Sequence, residues 1–186
     1  HIMEGTLKGT DAWFSNEESG VSAHYGIGKT GEIHQYVGES DRAWHAGRLV
    51  SPTWRLLKTE VNPNWYTIGI EHEGTENTPW SDALYKASAG LIETICRRWA
   101  IPCDRDHIIG HREIRADKTC PGLEVDLDKL VDMANDIHQS PATFNFVRKP
   151  GIVQTRVDLN IRENAPTSAA PLVRTVKGGR KLPYQG

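Results

Sequence analysis

Chemistry-bearing residues gather in three short stretches of this 186-residue chain. The densest is Gly110-His111-Arg112-Glu113-Ile114, followed at once by Lys118-Thr119-Cys120-Pro121-Gly122. A neutral imidazole nitrogen and a thiolate are both good zinc ligands. The separation of His111 and Cys120 (120 − 111 = 9) does not suit one helical face. It suits a loop that folds back on a strand end, with Pro121-Gly122 fixing the turn. Taken alone, the pair also fits a hydrogen-bonded histidine and a small buried cysteine. The second stretch is Gly69-Ile70-Glu71-His72-Glu73-Gly74. A carboxylate ending a buried strand costs desolvation energy unless it is paired or used. Next to a metal-activated water, such a group can take a proton. The plainer reading of Glu71 is a solvated strand-end acid. The third stretch is Arg42-Ala43-Trp44-His45-Ala46-Gly47. An aromatic beside a histidine with small neighbours suits the wall of a sugar or peptide groove. A core Trp44 with a surface His45 gives the same pattern.

These stretches need elements to hold them. Residues 1–138 read as alternating strands and helices. Residues 21–27 and 33–37 alternate around the turn signal Lys29-Thr30-Gly31-Glu32, which predicts a hairpin. Residues 67–71 are short, β-branched and apolar, as a buried strand would be, and Ile108-Ile109-Gly110 is a further strand candidate. Thr78 can cap a helix with Pro79 at its first position; Leu84, Ser88, Leu91, Ile95 and Trp99 follow at helical spacing, and Ile101-Pro102 ends it. A second helix starts at Asp126, with Leu127, Leu130, Val131, Ala134 and Ile137 on one face. Residues 139–150 read as a linker, and residues 151–186 as short strand-like runs too few for an independent core.

Composition narrows the classes. The hydrophobic fraction is 38% and the charged fraction 25%, close to globular averages. Twenty-two Lys and Arg against 24 Asp and Glu leave a net charge of −2, which argues against nucleic acid as the main partner. No apolar run approaches the roughly 18 residues of a membrane helix. Eight histidines and only 3 cysteines suggest metal or acid–base chemistry over a disulfide scaffold. Cys96 and Cys103 are seven apart (103 − 96) across a helix end; a disulfide there and two free buried thiols are both open.

Taken together, the stretches resemble the zinc-dependent N-acetylmuramoyl-L-alanine amidases of type 2, with phage endolysins and peptidoglycan recognition proteins among their relatives. The matching segments occur in the family's order: His1-Ile2-Met3-Glu4-Gly5-Thr6, Val21-Ser22-Ala23-His24-Tyr25, Ala43-Trp44-His45-Ala46-Gly47, Thr67-Ile68-Gly69-Ile70-Glu71, and the two that carry His111 and Cys120. The resemblance implies an α/β fold, a mixed central β-sheet flanked by α-helices, over residues 1–138. It implies one zinc ion on His1, His111 and Cys120, with His24 competing for the place of His1, and Glu71 and Lys118 as catalytic residues. It also implies that the family's first strand, which would precede His1, is missing. Residues 151–186 resemble part of a truncated, small all-β bacterial SH3-like domain of the cell-wall-binding kind, through Asp158-Leu159-Asn160-Ile161-Arg162.

The expected reaction is hydrolysis of the amide between N-acetylmuramic acid and L-alanine of peptidoglycan, in wall lysis or remodelling. Trp44, His45, His34, Asn64 and Tyr66 are the substrate-binding candidates. The expected protein is a monomer, secreted or acting on the cell wall as an endolysin or autolysin does, with no leader visible because the N-terminus reads as truncated. The rival reading is a non-catalytic peptidoglycan-binding module of the same fold. A cysteine hydrolase built on Cys120 and His111 is disfavoured by Pro121 directly after the thiol.

Overall fold

A computed structural model describes residues 1–139, together with the backbone of the strands β4 (Val147–Arg148), β5 (Gly151–Gln154), β6 (Leu159–Arg162), β7 (Leu172–Val176) and β8 (Lys181–Tyr184). β5 pairs with β8 and β6 with β7, both antiparallel. The expected SH3-like barrel and the expected linker otherwise lie outside the described residues.

The main sheet runs β3-β1-β2-β4, with β1 at Tyr25–Ile27, β2 at Ile33–Gln35 and β3 at Ile70–His72. β1 and β2 form the antiparallel hairpin that the turn residues predict, while β1 and β3 run parallel. The mixed sheet and its flanking helices match the expected fold class. The strands are shorter than the sequence patterns. Residues 21–24 lie outside β1, and the strand ending in the acid reaches one residue past it, to His72. Ile108-Ile109-Gly110 forms no strand; Ile108 lies in a bend, and the segment leads into a single 3-10 turn, His111–Glu113.

The N-terminal residues zip along the free edge of β3. The His1 backbone nitrogen donates to the Ile70 carbonyl (2.8 Å), His72 N–H to the His1 carbonyl (3.2 Å), and Met3 N–H to the His72 carbonyl (2.9 Å). His72 also directs its Nδ1 at the His1 carbonyl (2.9 Å) and its Nε2 at Ser88 Oγ (2.9 Å), which ties this edge to a helix. Strand alternation then divides the sheet into two faces. Tyr25, Ile27, Ile33, Ile70 and His72 face the apolar layer. His1, Glu71, Gly26 and His34 form a row across the other face.

The apolar layer is closed by α2 (Asp82–Trp99) and α3 (Leu127–Gln139). Leu84, Leu91, Ile95, Leu127, Leu130 and Ala134 are buried against Tyr25, Ile27 and Ile33, as their helical spacing requires. The start of α2 differs from the sequence reading. Ser81, not Thr78, accepts the N–H of Leu84 (3.1 Å) as the cap, while Thr78 Oγ1 accepts from Thr75 N–H (3.1 Å) in the preceding turn. Both are good capping residues, and the local turn takes the first one. Ala100 in the left-handed region closes the other end. The sequence reading has no counterpart for α1 (Leu7–Ser15), capped by Thr6. Only Leu7 and Thr10 of α1 are buried, so no apolar stripe marks it.

Glu39 fastens the C-terminal end of α2 to β1. Its side chain is 5% exposed, and it accepts from Tyr25 Oη, Trp99 Nε1 and Arg98. Burial alone would push its carboxyl up; the bonds from Tyr25, Trp99 and Arg98 outweigh that and hold it below the usual range. A carboxyl depressed in the fold contributes stability above its unfolded pKa and loses it as pH falls through the folded value. Glu39→Gln is therefore expected to cost about 2 kcal/mol in urea melts at neutral pH. The gap to the parent should narrow in acid; a gap constant with pH would contradict the assignment.

Candidate metal centre

One face of the sheet and two loops meet at its edge. Pairing along β3 places His1 beside Glu71 in the row, with His1 Nδ1 4.0 Å from Glu71 Oε1. The segment before residue 111 delivers His111, and the loop after the turn folds back so that Arg112 N–H donates to the Cys120 carbonyl (3.2 Å). Gly110 permits this fold-back. A Cβ there would stand 2.9 Å from Pro121 Cδ and 3.1 Å from the Cys120 carbonyl oxygen. Glu113 shapes the turn by accepting from Gly110 N–H (2.8 Å) and Arg105 (3.0 Å).

The outcome is a compact donor set. One ligand atom each of His1, His111 and Cys120 lies within 4.8 Å of the others. The ring polarity suits coordination. His111 Nε2 meets the Ala46 carbonyl at 2.9 Å, so it carries the proton, and Nδ1 keeps its lone pair for the cluster. His1 Nε2 meets His45 Nδ1 at 3.1 Å, which likewise turns His1 Nδ1 inward. Burial, aided by the nearby cationic groups, lowers the His111 imidazole to about 4 against the pull of the Ala46 bond, so the ring is neutral. Burial, with His24 and the N-terminal ammonium adding to it, lowers His45 to about 3.

Glu71 completes the centre. Burial pushes its carboxyl up to about 7, with the N-terminal ammonium pulling the other way. Its Oε2 is buried and has no hydrogen-bond partner among the described residues. An orphaned buried acceptor beside two imidazoles and a thiol fits a site completed by a metal ion and water. On a tetrahedral metal such as zinc, two nitrogens and one sulfur would leave a fourth position open. Lys118 is exposed, and its charge contributes to lowering His111.

His24, the competing candidate for the first ligand, is not available. It is 1% exposed, its Nδ1 accepts from Gly69 N–H (3.0 Å), and its Nε2 meets the Asp41 carbonyl (3.1 Å). The groove-wall candidates divide. His34 is buried on β2, with its two nitrogens 2.8 Å from Asp11 and 2.6 Å from Glu32, so it offers no nitrogen to a groove. His45 meets His1 Nε2 through its Nδ1 (3.1 Å) and Asn64 accepts from His45 N–H (3.0 Å); both border the cavity beneath His1 and His111. The Tyr66 hydroxyl accepts from Lys58 N–H (3.1 Å), and its ring stacks on Trp54. Trp44 holds the Arg42 guanidinium 3.9 Å from its ring centre, and Trp65 flanks the same guanidinium at 3.8 Å. Trp65, which the sequence reading leaves out, is 59% exposed. A cavity of about 870 Å³ runs beneath His1 and His111 toward α2 and α3; Glu71, Lys118 and Cys120 do not border it, so it is not the cleft in front of the donor set.

The chain belongs to the Amidase_2 family, described as N-acetylmuramoyl-L-alanine amidase, which it matches over residues 1–123. It is 42% identical over 106 residues to N-acetylmuramoyl-L-alanine amidase A of Achromobacter lyticus, covering 55% of this chain and 52% of that protein. It is 39% identical over 111 residues to the 1,6-anhydro-N-acetylmuramyl-L-alanine amidase AmpD of Enterobacter cloacae, covering 59% and 55%. The chain thus spans about half the length of these relatives. Among solved structures, an AmpD derivative superposes with a TM-score of 0.53 at 33% identity, over 61% of this chain and 59% of that one. A mutant endolysin from Bacillus subtilis has the same fold, with a TM-score of 0.55 at 18% identity, over 72% and 81%.

The ligand set has a direct check. Purified protein is expected to hold one zinc per chain by elemental analysis. His111→Ala and Cys120→Ala should lose it, while folded His24→Gln and His34→Gln should keep it. Zinc retained by both of the first two variants would refute the assignment.

Proposed function

We propose that this chain is the catalytic part of a zinc-dependent amidase that cleaves the amide between the lactyl group of N-acetylmuramic acid and L-alanine. The observation that carries the reading is the convergence of His1, His111 and Cys120 beside the orphaned carboxylate oxygen of Glu71. Membership of the amidase family supports the same substrate class. Zinc, when bound, supplies Lewis-acid activation of water and of the scissile carbonyl.

The chain's own residues do the rest. His1 and His111 hold their Nδ1 lone pairs inward because their Nε2 protons are engaged behind them. Glu71 takes the proton of the attacking water as general base. The same carboxyl then returns it to the departing L-alanine nitrogen, so no proton is lost from the site. Lys118 offers its ammonium to the oxyanion that develops on the amide oxygen, a contribution of about 3 kcal/mol. Peptidoglycan is the partner and the cell wall the place of action in this reading. Among the described residues no helix is long and apolar enough to cross a membrane.

The test is product identity. Incubation with peptidoglycan, and separately with a 1,6-anhydro-muropeptide, is expected to release stem peptides beginning with L-alanine, read by mass spectrometry. Glu71→Gln should reduce kcat by about 10²-fold or more with zinc content unchanged. Lys118→Met should lower kcat by about 10²–10³-fold. A folded, zinc-loaded protein that binds peptidoglycan and releases no peptide would establish the binding-module reading instead.

A further inference from the structure

Asn64 lies behind the donor set, 5% exposed, in the 3-10 turn Pro63–Trp65. Its side-chain oxygen accepts two backbone protons, from His45 N–H (3.0 Å) and Ala46 N–H (2.8 Å). Each of those two residues holds a different histidine of the centre. His45 Nδ1 meets His1 Nε2, and the Ala46 carbonyl meets His111 Nε2. We propose that Asn64 is the positioning residue of the metal centre: one buried amide oxygen fixes the His45–Ala46 backbone, and that backbone sets the orientation of both imidazoles. The inference rests on the zinc reading above and deepens it.

The proton order along the path is self-consistent. If His1 Nδ1 keeps its lone pair for the metal, Nε2–H donates to His45 Nδ1. His45 must then carry its proton on Nε2, which points at Thr67 Oγ1 (3.5 Å). Thr67 sends its hydroxyl proton to the Pro63 carbonyl (2.7 Å), in the same turn as Asn64. The far end of the segment is also tied, by Asn62 Nδ2 to the Gly47 carbonyl (3.2 Å), and Asn62 Oδ1 accepts Asn64 N–H (2.9 Å). Gly69 leaves room for the arrangement; a Cβ there would stand 2.4 Å from the His45 ring.

An amide oxygen has two lone pairs, and both are used here. Removing it leaves two N–H groups unpaired, that of Ala46 buried and that of His45 partly so, so the segment must shift to find new partners. Either shift turns a ligand ring. Partners of this kind, one step behind the ligands, typically contribute about 10–100-fold to metal affinity.

The experiment measures zinc affinity by chelator competition, together with the visible absorption of the cobalt-substituted protein. Asn64→Ala is expected to weaken zinc about 10–100-fold and to change the cobalt bands. Asn64→Asp keeps an oxygen acceptor for both amides and should restore most of the affinity and the parental bands. Ala134→Gly, in α3 and away from the centre, controls for lost stability and should leave affinity unchanged. If Asn64→Ala does not fold, Asn64→Ser, whose short hydroxyl cannot serve both amides, should give an intermediate affinity. Parental affinity and bands in Asn64→Ala or Asn64→Ser, or a loss no larger than in Ala134→Gly, would overturn the proposal. A parent that binds no zinc would instead refute the zinc reading itself.

Discussion

The pairing of residues 1–3 along the edge of β3 is the constraint on which the centre depends. The His1 carbonyl accepts from the backbone of His72 and lies against that residue's side chain, and the strand period then leaves the His1 ring beside Glu71. A slip of one residue would send His1 to the apolar face and bring Ile2 beside the carboxylate. Ile2, buried opposite His72, opposes that slip because exposing it would cost apolar burial. Register along one strand edge therefore decides whether a donor set exists.

The other two candidate donors are brought in by loops, and polar atoms within the protein fix their direction. His111 and Cys120 sit on either side of a loop closed by the Arg112–Cys120 bond, with Gly110 giving the close approach. Nε2 of both His1 and His111 is engaged from behind. This resolves an ambiguity intrinsic to histidine, which can present either nitrogen to a metal. The centre is consequently preorganised: a neutral His111 imidazole and a raised carboxyl at Glu71 both follow from burial in the same fold.

Much of this was legible in the chain. The ordered motifs pointed to His111, Cys120 and Glu71, which the fold brings together with His1, and the helical stripes from Leu84 and from Leu127 identified α2 and α3. What was not legible has a common physical character. α1 buries too little to show a stripe. Ile108 and Ile109 have strand-like side chains, yet the segment pairs with no strand among the described residues, and pairing is a tertiary fact. That the Asn64 oxygen holds the His45 and Ala46 backbone was not legible either, because a polar side chain near a motif gives no sign of which partner it meets. His24 looked like a ligand until both of its nitrogens were found in use.

The central claim is that two histidines and one cysteine hold a zinc ion beside Glu71. Zinc-edge X-ray absorption on the purified protein tests it most directly, because sulfur and nitrogen scatter at separable distances. The account expects one sulfur at about 2.3 Å and two imidazole nitrogens at about 2.0–2.1 Å, with a further light atom in the open position. A shell of nitrogen and oxygen alone, or one with two or more sulfurs, would contradict it.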